Sequence, residues 1–192
     1  MKVFLEDKDA SIASMFEEHG YSIVTEQEKA DIVCFGGGDD VSPALYGEVN
    51  TSSYTNHKRD MQCIYMYNKA RTLGQVCVGI CRGGQFLHVM NGFKLHQHIE
   101  GHRGTMHKVK YAHDFPEIED FSVTSDHHQS MSISGAGYLY PMLLAEDGTI
   151  ECVVHTNDRG RVDICYQPHP EWVHKDHPCR TFFFELIKSY EL

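Results

Sequence analysis

The sequence predicts an α/β fold: a mostly parallel central sheet flanked by helices, with an antiparallel strand extension in the second half. Three observations carry this. Strand-like and helix-like segments alternate through the first half, the pattern of a parallel sheet covered on both faces. The runs "DIVCF" (Asp31–Phe35) and "VCVGI" (Val76–Ile80) are continuously apolar and stop at glycine-rich breaks, as buried parallel strands do. The second half is richer in strands and contains Asp147-Gly148, a hairpin signal. The chain has 192 residues, 41% of them apolar. That is enough for one core, and a single domain over 1–192 is expected.

Taken in order, Lys2–Leu5 is a short strand. Ala10–His19 has helical spacing at Ile12, Met15 and Phe16, with Gly20 closing it. Tyr21–Val24 and Asp31–Phe35 are strands, and the second runs into "GGGDD". Gly47–His57 is a polar loop expected beside the site. Arg59–Leu73 is a helix stopped by Gly74, Val76–Ile80 a buried strand, and Gly83–Asn91 a helix closed at Gly92. Strands follow at Phe121–Thr124, Tyr138–Ala145, Ile150–His155 and Val162–Gln167. A helix over roughly Cys179–Tyr190 ends the chain. Ligands bind such sheets beyond the carboxyl ends of the strands, and both glycine breaks fall at that edge.

The formal charge of −10 argues against nucleic acid or an anionic membrane as partner, since both demand a basic surface. The start, "MKVFLEDKDASI", has no long apolar run, so no signal peptide is expected, and no stretch approaches a membrane span. Seven cysteines without a framework point to free thiols in a reducing compartment, hence the cytoplasm. Fourteen histidines, several in "LHQHIEGHRGTMH", raise metal binding. With no HExxH and no CxxC, the expectation is no metal and no cofactor.

The chemistry centres on Cys81. "GICRG" follows the G-x-nucleophile-x-G pattern with cysteine in the serine place, a turn so sharp that it presents the middle side chain. A helix starting there offers free N–H groups and positive potential to a thiolate. On this alone Cys81 is equally a core thiol. A base decides the matter: in "QPHPEW", His169 can take the proton from Cys81 while Glu171, two residues on along an extended segment, orients the imidazole. The glycine run of "CFGGGDD" could bind phosphate, but no Lys-Ser/Thr follows and Asp39-Asp40 would repel it. A better reading is an oxyanion hole made by the backbone N–H groups near Gly38 and at Arg82.

These motifs together resemble class I glutamine amidotransferase domains, and more narrowly the γ-glutamyl hydrolase-like branch, peptidase family C26. "GGGDDVSPALYGE", Arg59-Asp60, "GICRGGQ", "NGFKLHQHI", "SDHHQS", "EDGTIE" and "QPHPEW" occur in the family's order. The resemblance implies a flavodoxin-like glutamine amidotransferase fold and a Cys81–His169–Glu171 triad. It also implies that Gln85, His127, His128 and Gln129 line the substrate pocket, and it turns the His96–His98 pair into a pocket-wall feature. The implied reaction is hydrolysis of the γ-amide of glutamine, or of a γ-glutamyl amine or peptide, through a γ-glutamyl thioester on Cys81. The alternative is a glutaminase subunit supplying ammonia to a separate synthetase partner. Pro168 stands where the family carries an aromatic residue, and the chain is shorter than free-standing members. The loops Val49–His57 and Glu100–Asp114 carry specificity that the sequence does not spell out.

Overall fold

The computed structural model describes residues 1–112, 120–135, 139, 141–156 and 160–190. Its strands are β1 (Lys2–Leu5), β2 (Ser22–Val24), β3 (Ile32–Phe35), β4 (Val76–Ile80), β5 (Phe93–His96), β6 (Thr105–Tyr111), β7 (Phe121–Ser125), β8 (Ser130–Gly135), β9 (Pro141–Ala145), β10 (Ile150–Thr156) and β11 (Val162–Tyr166). The longer helices are α1 (Ala10–Glu18), α2 (His57–Leu73), α3 (Arg82–Met90) and α4 (Pro178–Ser189). All strands join one sheet, in the order β2-β1-β3-β4-β11-β10-β9-β6-β7, with β8 pairing to β10 and β5. The five strands from β2 to β11 are mutually parallel and form the α/β core. From β10 outward every pairing is antiparallel. The predicted architecture is therefore the observed one.

Period-two alternation splits each central strand between two apolar layers. Ile32, Cys34, Val78, Ile80, Ile164 and Tyr166 pack with Ile12, Phe16, Phe183 and Phe184 of α1 and α4. Val33, Phe35, Cys77 and Cys165 pack with Cys63, Tyr67, Phe86 and Leu87 of α2 and α3. This is why these strands read as unbroken apolar runs. Helix starts follow capping chemistry: the Asp9 side chain accepts from Ser11 N and Ile12 N, and Asn56 accepts from Arg59 N. No helix among the described residues is long and apolar enough to cross a membrane.

Three strands escaped the sequence reading. β5 alternates cleanly, with Phe93 and Leu95 buried, but four residues give little periodic signal. β6 buries only Val109 fully, so it reads as a polar loop. β8 carries serines at buried positions. Of the strand expected at Tyr138–Ala145, Pro141–Ala145 is strand, and Tyr138 and Tyr140 lie outside the described residues. Glu100–Asp114, expected as loop, includes β6.

Between α3 and the antiparallel extension, His88 is buried and His155 half-buried, both as neutral rings. His88 Nε2 lies 2.9 Å from Ser132 O, and its Nδ1 lies 3.1 Å from His155 Nε2. Burial pushes His88 down to about 3 and His155 down to about 4. A base whose folded pKa is depressed stabilises the fold above its unfolded pKa and loses that contribution as pH falls. We therefore expect unfolding free energy to drop below pH 6.5 by about 1.4 kcal/mol per pH unit per histidine. The His155 contribution should level off near pH 4 and that of His88 near pH 3. Urea titrations from pH 7 to 4 on wild type and His88→Gln check this; identical slopes would refute it.

Candidate active site

The carboxyl ends of β3, β4 and β11 lie side by side, and each delivers one part of a cleft of about 420 Å³. β4 delivers Cys81. Its backbone sits at φ +51°, ψ −112°, a region that costs a non-glycine residue about 1–3 kcal/mol. The fold holds it there through Cys81 N–H, which donates to Tyr166 O at 2.8 Å, and through the start of α3 immediately after it. The close approach of helix to sheet needs glycine: a Cβ on Gly83 would lie 2.0 Å from Phe35 O, and one on Gly79 would lie 2.3 Å from Gly83 C. All seven cysteines are free and buried, but among the residues lining the cleft Cys81 is the only thiol.

β11 leads to His169. Thr124 of β7 clamps its backbone: the hydroxyl accepts from His169 N at 2.7 Å and donates to His169 O at 3.1 Å. His169 Nδ1 lies 2.6 Å from Glu171 Oε1. The expectation that Glu171 reaches His169 along an extended segment is corrected. Pro170, placed at the first position of a 3₁₀ turn, starts one over Pro170–Trp172, and Glu171 reaches back from inside that turn. Trp172 lies flat on the imidazole, with centroids 3.7 Å apart and planes 1° apart. Burial lowers the His169 pKa, but hydrogen bonding and attraction to Cys81 and to Glu171 outweigh it and bring it up to about 10. The imidazole thus stands between the Cys81 sulfur and the Glu171 carboxylate, and both favour its protonated form.

β3 delivers the glycine loop. Its carbonyls are held from outside the cleft: Arg59 Nη1 donates to Gly37 O at 2.7 Å, and Arg82 Nε donates to Asp39 O at 3.1 Å. Arg59 is in turn fixed by Glu6, with Nη2–Oε2 at 2.8 Å. The Arg82 side chain is buried, paired with Asp60 and in contact with Cys63 Sγ. With these carbonyls engaged outside, Gly38, at φ +126°, borders the cleft. Arg82 supplies the first N–H of α3, which has no acceptor within the helix.

Gln85, His128 and Gln129 border the same cleft. Gln85 Nε2 donates to Gln129 O at 2.9 Å and to Gln167 Oε1 at 3.1 Å. Gln129 Nε2 donates to Ser53 Oγ at 2.6 Å, and Gln129 Oε1 is buried without a partner. His128 Nε2 lies 2.8 Å from Asp40 Oδ2, and its Nδ1 lies 3.3 Å from that of His98. His127 also borders the cleft, but its Nδ1 faces Gln129 O at 2.8 Å and its Nε2 faces Glu151 at 3.7 Å. Sequence reasoning missed Gln167, whose Nε2 reaches Cys81 Sγ at 3.7 Å, together with Thr124 and the buried Asp60–Arg82 pair. Only long-range packing brings these to the site. The loop expected beside the site does border it, through Tyr54, and Arg103 and Asp126 add one charge of each sign.

The family model of Peptidase C26 matches residues 16–171. A putative glutamine amidotransferase-like protein, YvdE, of Lactococcus lactis is 26% identical, over 93% of this chain and 86% of its own length. A gamma-glutamyl-gamma-aminobutyrate hydrolase of Escherichia coli O157:H7 is 27% identical, over 78% of this chain and 67% of its own length. Among solved structures, PurLQS from Thermotoga maritima aligns with a TM-score of 0.68 at 16% identity. That alignment covers 98% of each chain.

Proposed function

The chain belongs to the peptidase C26 family, and from that premise we propose that it hydrolyses a γ-glutamyl amide bond through a thioester on Cys81. Its relatives support the coarser statement, a glutamine amidotransferase-like amidohydrolase. The observation that carries the finer one is the strained Cys81 facing His169, with Glu171 2.6 Å behind the imidazole.

In this reading the Cys81 thiolate attacks the γ-carbonyl. The N–H groups at Gly38 and Arg82 receive the developing oxyanion at the start of α3. His169 gives its proton to the leaving amine, and the carbon–nitrogen bond breaks to leave the γ-glutamyl thioester. Water then attacks the thioester with His169 as base, releasing glutamate and restoring the thiolate. Glu171 holds Nδ1 so that Nε2 faces the sulfur. Arg103 offers a positive charge to the α-carboxylate of the substrate, and Asp126 offers a negative one to its α-ammonium. We propose one domain over 1–192 and a cytoplasmic setting, in keeping with seven unpaired thiols.

A second reading, a glutaminase subunit serving a synthetase, is favoured by the exposed Tyr54 and Trp172 at the cleft, apolar surface that a partner could cover. A panel of γ-glutamyl amides and glutamine, scored for glutamate release by the isolated chain, separates the two. The first reading expects unaided turnover of at least one γ-glutamyl amide. Silence on the whole panel, with the fold intact by circular dichroism, would remove it in favour of the second.

A further inference from the structure

Beneath the cleft wall, three histidines from separate segments converge on one buried carboxylate. Glu151, on β10, is fully buried, and neither of its oxygens has a hydrogen-bond partner among the described residues. Around its Oε1 stand His107 Nε2 at 3.3 Å, His102 Nδ1 at 3.6 Å and His127 Nε2 at 3.7 Å. His107 Nε2 and His127 Nε2 are also buried without partners. A buried carboxylate whose oxygens make no hydrogen bond is costly to keep ionised, and a cation beside it offsets that cost.

The outer contacts of the cluster fix which atoms can supply that compensation. His102 Nε2 lies 2.9 Å from Asp147 Oδ2. That carboxylate only accepts, so the His102 proton sits on Nε2 and the Nδ1 lone pair faces Glu151. Ser125 Oγ lies 3.3 Å from the same Nδ1, but its proton is donated to His102 O at 2.9 Å. His127 donates Nδ1–H to Gln129 O at 2.8 Å, so its Nε2 lone pair also faces inward. With His102 and His127 neutral, acceptors from three side chains point at one another, and among the described residues His107 is the neighbouring ring left to donate.

We propose that His102, His107 and Glu151 form a site for one divalent transition-metal ion, with His127 beside them, 3.7 Å from Glu151, as a fourth donor that would close in on the ion, and with zinc the ion that these nitrogen and carboxylate donors suit best. Donor atoms bound at about 2.0–2.1 Å in a tetrahedron lie about 3.3–3.4 Å apart. The spacing of His107 from Glu151 matches this, and those of His102 and His127 exceed it by a few tenths of an ångström. One donor atom from each of His102, His107 and Glu151 falls within 4.8 Å of the others. Asp147 behind His102 and the Gln129 carbonyl behind His127 are outer partners of the kind that orient metal-bound imidazoles. The ion would brace the wall of the cleft, because the same Gln129 carbonyl that receives His127 also receives Gln85. Motif spacing within one segment did not reveal this set, since its members come from β6, β10 and the turns on either side of the sheet edge. The inference does not depend on the reaction proposed for Cys81.

The test uses the full chain carrying Cys81→Ala, so that the cleft thiol cannot bind metal, stripped with chelator and dialysed. Zinc titration should show one equivalent bound. Cobalt(II) in its place should give visible d–d absorption without a thiolate charge-transfer band in the near ultraviolet. Asp147→Asn, at a half-exposed position where the amide oxygen still accepts from Thr149 N, should weaken zinc binding about 10- to 100-fold. His107→Gln should weaken it more; if that variant does not fold, Asp147→Asn carries the test. Overturning results are no zinc bound at micromolar concentration, unchanged affinity in Asp147→Asn, or a charge-transfer band that assigns the metal to cysteine. The first of these would mean that protons alone hold the cluster together.

Discussion

Cys81→Ala is expected to lower kcat by about 10⁴-fold or more while leaving the unfolding midpoint close to wild type. The size follows from the absence of another cysteine at the cleft. The unchanged midpoint follows from geometry: alanine keeps a Cβ and so keeps the strain at φ +51°. Cys81→Gly should be equally inactive but more stable, by about 1 kcal/mol, because glycine takes positive φ without a steric cost. The two variants thus separate chemistry from strain. The same loss reaches His169. Without the thiolate, burial acts against Glu171 alone, and the imidazole pKa should fall from about 10, as proton NMR of the ring would read. Residual turnover within tenfold of wild type would overturn the nucleophile assignment.

Asp60→Ala is the second substitution with a large expected effect, here on stability. Asp60 and Arg82 are both fully buried and paired. Removing the carboxylate strands a guanidinium in the interior, at a cost of about 3–5 kcal/mol. It also frees Arg82 to leave Asp39 O, so the glycine loop should lose one of its two outer anchors and keep only that of Arg59. Arg82→Met added to Asp60→Ala should recover part of the stability, because no unpaired charge then remains buried. It should not recover activity, because Asp39 O stays without its guanidinium donor. Urea unfolding of the single and double variants gives the coupling. A cost below 1 kcal/mol for Asp60→Ala would show that the pair does not hold this part of the fold.

The parts of the molecule that were legible in the sequence are those written locally. Asp31–Phe35 and Val76–Ile80 read as buried parallel strands because both of their faces are covered. The elbow read as an elbow because Gly79 and Gly83 flank Cys81. His169 and Glu171 were placed correctly relative to each other, though through a 3₁₀ turn rather than an extended segment, since Pro170 starts a helical turn as readily as it continues a strand. What stayed hidden is non-local. β6 buries a single full position, and its partners β7 and β9 lie on either side of it in space. Arg82 read only as a backbone N–H donor, yet its side chain is buried on Asp60, 22 residues away. Glu151 read as half of a hairpin motif, yet three histidines from other segments surround it.

Trp172 is the only tryptophan of the chain, and it lies against His169 with its planes parallel. A charged imidazole on an indole face is a cation–π pair, and a protonated ring in such contact quenches indole emission. The intrinsic fluorescence of this protein is therefore a built-in gauge of its own site. Loss of the His169 proton, acylation of the neighbouring sulfur and arrival of a ligand each alter the brightness of a single, unambiguous chromophore, with no label to attach.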